Sequence, residues 1–245
     1  MVSLFLFWGA WMKGLYAIAD VGVLARRGMG LRVFAEGLKA AGVGVVQLRD
    51  KDGSPEGVLA GARVLREVFA GTDSLLVMND RVDLGLLAGF GGVHVGQGDL
   101  SVEDAKAVAG QSESQRAQRK DEEDTERKWV VGGSTHTEDE VRVADVGAAD
   151  YVAVGPVFAT GTKADASPVV GLEGVRRARA LTGKPLVAIG GITLANARSV
   201  VDAGADMVAV ITGLFVPGRT VESVAWEFGK ICVEVEREKT QTRIF

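Results

Sequence analysis

Cysteine is nearly absent from this chain. Cys232 stands alone, which excludes an intrachain disulfide and any metal site built on clustered thiols. It falls in an apolar helical pattern, so a buried, inert thiol is expected, and a reducing cytoplasm fits such usage. An excess of positive charge is also missing. With 28 basic residues against 32 acidic ones, neither nucleic acid nor an anionic membrane is expected as a partner. Any phosphate recognition must therefore be local. The apolar stretch 2–11 (VSLFLFWGAW) is far too short to span a bilayer, and no basic residue precedes it as in a secretory signal. The expectation is that Met12 is the natural start and that residues 1–11 are an extension ahead of it. Histidine is scarce: His94 and His136 are the two present, and neither position suggests a metal pair.

What is present is a regular alternation. A hydrophobic content of 47% is ample for a sizeable core, and short apolar runs alternate with helical patterns along the chain. Strands are expected at 15–20, 43–49, 75–79, 92–95, 129–133, 150–155, 185–190 and 206–211. Helices are expected near 31–41, 56–70, 81–89, 101–109, 137–147, 171–182, 193–203 and 219–237. Continuous apolar strands between amphipathic helices imply a parallel sheet under a helical cover. Eight such units favour an α/β class (β/α)₈ barrel as one domain over 13–237, with a tail at 238–245. Gly147-Ala148-Ala149-Asp150 and Gly204-Ala205-Asp206 mark helix-to-strand turns with glycine available for a left-handed cap. Residues 111–128 (QSESQRAQRKDEEDTERK) are polar at every position but Ala117 and read as a solvated loop inserted before the fifth strand.

In such a barrel chemistry belongs where strands end. The second strand ends Gln47-Leu48-Arg49-Asp50-Lys51, and alternation puts Gln47, Arg49 and Lys51 on one side, away from Leu48. A plain alternative makes Arg49 and Lys51 a surface ion pair with Asp50 or Asp52. The third strand ends Asn79-Asp80 and the fourth leads through His94 to Asp99. Neighbouring strands lie about 4.8 Å apart, so carboxylates beyond two adjacent ends can share one ion. Two hard oxygen ligands, with water and substrate phosphates completing the shell, suit Mg²⁺. Helix capping by either aspartate is the competing reading. The fifth strand presents Ser134-Thr135-His136, and the sixth opens into Gly155-Pro156-Val157-Phe158-Ala159-Thr160-Gly161-Thr162-Lys163. Hydroxyls, loop N–H groups and a lysine suit an anion. Gly190-Gly191 and Ile211-Thr212-Gly213 close strands seven and eight, where this fold commonly holds a phosphomonoester. No Ser-His-Asp set is evident, and the sequence offers no obvious base poised to activate Ser134. The set points to a pyrophosphate held by Arg49, Lys51, Lys163 and Mg²⁺, beside a monophosphate held by Gly191 and Thr212. The chemistry expected is departure of pyrophosphate and transfer of its partner group to a phosphorylated acceptor.

These motifs (QLRDK, NDRVDL, HVGQGDL, STHT, DYVAVGPVFATGTK, AIGGI and VAVIT, between about Leu15 and Leu214) resemble the thiamine-phosphate synthase family. The resemblance implies a (β/α)₈ barrel joining hydroxymethylpyrimidine pyrophosphate to a thiazole phosphate. It implies that Gln47 through Lys51, Asn79, Ser134 and Lys163 contact the pyrimidine substrate and that Asp80 and Asp99 ligate Mg²⁺. Thr160, Gly161, Thr162, Gly191, Ile211 and Thr212 would hold the thiazole phosphate. The family mechanism is largely dissociative, which agrees with the lack of a candidate protein nucleophile. Thr212 stands where serine is usual, and Gly98 replaces a common acidic residue.

Three rivals remain at this level. A related barrel that isomerises a thiazole carboxylate phosphate needs no metal, but typically lacks the Thr-x-Thr-Lys loop present here. A phosphosugar epimerase or decarboxylase would explain Gly191 and Thr212, yet leave Lys51, Lys163 and the carboxylate pair without a role. A non-catalytic precursor-binding barrel would have no need of the intact Arg49, Lys51, Asp80, Asp99 and Lys163 set.

Overall fold

The computed structural model describes residues 12–118, 128–161 and 168–242. Eight parallel strands form a closed barrel in chain order: β1 (Gly14–Asp20), β2 (Val45–Arg49), β3 (Leu75–Asn79), β4 (Gly92–Val95), β5 (Val130–Thr135), β6 (Tyr151–Val154), β7 (Leu186–Ile189) and β8 (Met207–Val210). Around them run α1 (Val21–Arg26), α2 (Leu31–Ala40), α3 (Pro55–Val68), α4 (Val82–Leu87), α5 (Val102–Gln118), α6 (Glu138–Val146), α7 (Gly171–Leu181), α8 (Leu194–Asp202) and α9 (Val221–Thr242). A 3₁₀ turn covers Thr212–Leu214. Among the described residues no helix is long and apolar enough to cross a membrane.

Alternation along each strand divides the apolar residues into two cores. Tyr16, Ile18, Val45, Val77, Tyr151 and Met207 fill the barrel interior. Leu15, Ala17, Ala19, Val46 and Leu48 face outward and pack under the helices. The helices return the matching faces, as with Phe34, Ala35 and Leu38 of α2. Local signals set their starts: Ser54 accepts from Gly57 N ahead of Pro55 in α3, and Thr137 with Glu140 forms a capping box on α6.

The repeated Gly-Ala-Asp turns do more than turn the chain. Asp150 pairs with Lys106 and accepts Val131 N at 2.7 Å. Asp206 pairs with Arg179 at 2.8 Å and accepts Leu186 N at 2.8 Å. Each carboxylate thus ties the entry of its own strand to the preceding one and to a surrounding helix. Only Gly204 takes a positive φ (+117°). Gly147 is extended at φ −81°, so the expected left-handed cap is absent there.

Most boundaries fall within a residue or two of expectation, and three departures are larger. Helix α1 follows β1 directly because Asp20 caps it, accepting Val23 N at 2.8 Å. Helix α5 continues to Gln118, so the first part of the charged segment is helical rather than loop; residues 119–127 lie outside the described set. Helix α9 runs to Thr242 and takes in most of the expected tail, with Lys239 Nζ donating to Val201 O at 2.7 Å. Cys232 is buried, and burial, with the nearby Glu236 charge, pushes its thiol up to about 11. It is a thiol, not a thiolate, at neutral pH.

Gly132 on β5 is required by the interior packing. A Cβ there would lie 1.9 Å from Cζ of Tyr151, whose ring is fully buried and hydrogen-bonded at its hydroxyl to Tyr16 and His94. Gly132→Ala is expected to cost about 1–3 kcal/mol, the usual cost of overpacking a filled core. Urea unfolding checks it, and an unchanged midpoint would show that Tyr151 has room to move.

Candidate active site

All eight strands point the same way, so their C-terminal ends share one mouth, and a cavity of about 150 Å³ opens there. Gln47, Arg49 and Lys51 enter it from β2 and the loop beyond. Asn79, Asp80 and Asp99 enter after β3 and β4, and Ser134 from β5. Thr160, Gly191, Ile211 and Thr212 complete the far side. A larger open hollow beside Lys13, Cys232, Glu236 and Arg237 lies at the opposite end of the barrel. It lacks the strand-end groups, so the chemistry is placed in the smaller cavity.

Leu48 and Asp50 do not line the cavity. Leu48 points outward, where Gly61 of α3 leaves room for its methyls, and Asp50 turns back over Gly53. A ligand could meet Leu48 only through its main chain. Gly161 is exposed beyond the lining. Thr162 and Lys163 lie outside the described residues.

Arg49 is not a surface ion partner of Asp50 or Asp52. It pairs with Asp20, its register partner on β1, and both side chains are largely buried, at 13% and 5% exposed. Sequence reading missed Asp20. The available signal was an acid closing the apolar run YAIAD, opposite an arginine closing VVQLR. Asp20 also caps α1, so one buried carboxylate fixes the guanidinium and the loop beside it.

Asp80 is held unusually. Its φ is +60°, the one positive value at a non-glycine residue among those described. Its N donates to His94 O at 2.8 Å, its Oδ2 accepts from Asn79 Nδ2 at 2.6 Å, and Lys51 Nζ is 3.8 Å away. Helix α4 has Arg81 at its N-cap with no side-chain cap bond, so Asp80 does not cap it. Asp99 accepts Gly96 N at 2.9 Å instead of capping α5, where Ser101 serves Asp104 N. Burial pushes Asp80 up to about 6, reinforced by the hydrogen bond and like charge of Asp99 and opposed by Lys51 and Arg49. Two carboxylates this close favour a shared proton or a shared cation. Among the described residues no group of three or more His, Cys, Asp or Glu side chains is placed to hold a metal.

On the other side, Gly190 and Gly191 take φ of +103° and +64°. A Cβ on Gly191 would lie 2.7 Å from Ala159 O, so the β7 turn must be bare to pass under the loop after β6. His136 donates from Nδ1 to Gly155 O at 2.6 Å, bracing the start of that same loop.

Fold and site together define the class: a (β/α)₈-barrel enzyme with its active face at the strand C-termini. A family model described as thiamine monophosphate synthase matches residues 15–114 and 110–214. The chain belongs to that family of transferases. Among curated relatives, a thiamine-phosphate synthase of Koribacter versatilis is 45% identical over 213 residues, 86% of this chain and 93% of the relative. One of Methanospirillum hungatei is 37% identical over 201 residues, 82% and 89%. Among solved structures, the thiamine phosphate pyrophosphorylase of Pyrococcus furiosus gives a TM-score of 0.74 at 30% identity, covering 92% of this chain and 98% of that one.

A raised carboxyl pKa means the folded protein binds that proton more tightly than the unfolded chain does. Asp80 therefore costs stability above about pH 6, and the cost vanishes as pH falls towards 4. Asp80→Asn, which tolerates the left-handed backbone equally well, should stabilise the chelator-treated protein at pH 8 by about 1–2 kcal/mol, with solvent at the mouth screening the rest. At pH 4 the gain should disappear. Urea titrations at both pH values test this; equal gains at both would remove the charge explanation.

Proposed function

We propose that this protein condenses hydroxymethylpyrimidine pyrophosphate with hydroxyethylthiazole phosphate, giving thiamine phosphate and pyrophosphate. One observation carries the reading. Arg49 and Lys51 stand beside the Asp80–Asp99 pair at one mouth, with Lys51 Nζ 3.8 Å from Asp80, in a chain of this family.

In this reading Arg49 and Lys51 receive the pyrophosphate, with Lys163 added on the sequence resemblance. Arg49 is pre-aimed by Asp20 and loses little freedom on binding. Gln47, Asn79 and Ser134 contact the pyrimidine substrate, together with the main chain from Leu48 to Asp50. Thr160, Gly161, Thr162, Gly191, Ile211 and Thr212 hold the thiazole phosphate, with bare backbone at Gly191 allowing close approach. The donor set of Asp80 and Asp99 fits Mg²⁺: two hard carboxylate oxygens whose mutual repulsion a divalent ion relieves, with water and phosphate oxygens as remaining ligands. Bound there, Mg²⁺ would neutralise charge on the departing pyrophosphate. The protein's own cations stabilise the same developing charge, while the groups that hold the thiazole phosphate orient the thiazole nitrogen towards the pyrimidine methylene. No side chain is needed as a nucleophile, and a dissociative displacement follows. A cytoplasmic location suits phosphorylated substrates and the single reduced cysteine.

Mixing the two phosphorylated precursors with the protein, with and without Mg²⁺, and assaying thiamine phosphate tests the reading directly. No product under any metal condition would end it. Asp99→Ala should raise the Mg²⁺ concentration needed for half-maximal rate, and an unchanged titration would return Asp99 to a purely structural role. Lys163→Ala should lose roughly 10²-fold or more in turnover, the scale for removing one transition-state electrostatic partner; a near-normal rate would place Lys163 outside the site.

A further inference from the structure

Inside the barrel a line of hydrogen bonds runs from the floor to the cavity. Tyr16 Oη lies 3.0 Å from Tyr151 Oη, Tyr151 Oη lies 3.0 Å from His94 Nδ1, and His94 Nε2 lies 2.8 Å from Ser134 Oγ. The His94 ring stacks on Tyr151 with centroids 5.6 Å apart, so the imidazole cannot rotate freely. Both phenols are fully buried, and burial pushes both well above the ordinary tyrosine range. Each therefore keeps its proton and needs an acceptor.

The direction of the line follows from counting donors. Among the described residues Tyr16 has one hydrogen-bond partner, Tyr151. Its buried O–H must donate there, because accepting instead would leave that proton unpaired. Tyr151 has then received one bond, and its own proton can go only to His94 Nδ1. A neutral imidazole that accepts at Nδ1 carries its hydrogen at Nε2, which points at Ser134 Oγ. The serine oxygen is thereby an acceptor on its inner side, and its own proton is left to the cavity.

We propose that Tyr16 and Tyr151 lock His94 as the Nε2–H tautomer, so that Ser134 meets the substrate as a hydrogen-bond donor. This inference rests on the thiamine-phosphate synthase reading for the identity of that substrate. Ser134 sits within β5, deeper than Lys51 and Asp80, so the atom it meets belongs to the heteroaromatic half rather than the pyrophosphate. A ring-nitrogen lone pair is the acceptor chemistry that fits. His94 is a positioning residue, acting through Ser134. A ring edge carrying a donor N–H could use only the second lone pair of that oxygen and would leave the serine proton without an acceptor, so the device favours an acceptor edge over a donor edge of a substrate.

Nitrogen NMR of the protein labelled in histidine reads the tautomer without any substitution. The chain has two histidines, and His136, which donates from Nδ1 to Gly155 O, supplies the contrasting signal; a His136→Gln variant assigns the pair. His94 is expected to show hydrogen on Nε2 and a bare Nδ1. Tyr151→Phe removes the lock and should mix the tautomers. It should lower kcat for the pyrimidine substrate about 10-fold, with KM for the thiazole phosphate unchanged, and add little in a Ser134→Ala background. Hydrogen on Nδ1 of His94 in the unaltered protein would overturn the proposal, as would a Tyr151→Phe loss that persists undiminished without Ser134. If no thiamine phosphate forms at all, the proposed activity fails while the NMR result still decides the tautomer.

Discussion

The pairing of β8 with β1 is the constraint on which the rest depends. Tyr16 lies opposite Ala209 and Ala17 opposite Val210, and this seam turns an open parallel sheet into a cylinder. Because every strand runs the same way, closure brings eight chain segments to one rim. Lys51, Asp80, Asp99, Ser134 and Thr212 are distant in sequence and line one cavity. The cylinder must also be filled. Tyr16 and Tyr151 occupy its centre edge to face, and Gly132 makes the space that the second ring needs. The packing that closes the barrel thus supplies the phenols that govern His94.

The mouth is electrostatically divided. A chain with a formal charge of −4 has no general attraction for phosphates, so the local arrangement must supply it. Asp20 contributes by position rather than charge, holding Arg49 in a buried ion pair. Removing one partner of such a pair leaves the other charged and unsolvated, which holds the guanidinium in place more firmly than an exposed contact could. The adjoining ends of β3 and β4 do the reverse. Asp80 and Asp99 are set against one another, so the protein carries an unfavourable carboxylate pair that a cation would relieve. The left-handed backbone at Asp80 belongs to the same arrangement: it aims the carboxylate inward, where a capping role would have turned it along α4.

Much of this was legible in the residues, for physical reasons that can be named. Strand alternation placed Gln47, Arg49 and Lys51 on one side because successive side chains on a strand must diverge. The apolar runs announced the barrel because strands buried on both faces have no polar side to show. What stayed hidden depended on pairing across strands. Nothing along the chain says that Asp20 lies opposite Arg49, since register between β1 and β2 is set by the barrel. The same holds for Asp150 and Asp206, which read as turn residues and prove to be ties between neighbouring strands. The charged segment misled in its first part, because a mixture of charges without an apolar stripe fits a solvated helix as well as a loop.

By itself the sequence determined the order of strands and helices, which faces are apolar, and which residue types stand at strand ends, since these follow from local periodicity and the stereochemistry of the chain. It also carried the motifs that tie the protein to its family. Only the tertiary structure decided which cation meets which carboxylate, that Asp80 and Asp99 are close enough to repel, and that two phenols in the barrel centre reach a histidine on β4. Those relations depend on distance and burial between residues far apart in the chain. Coulomb and hydrogen-bond energies are set by such distances, and no local pattern encodes them.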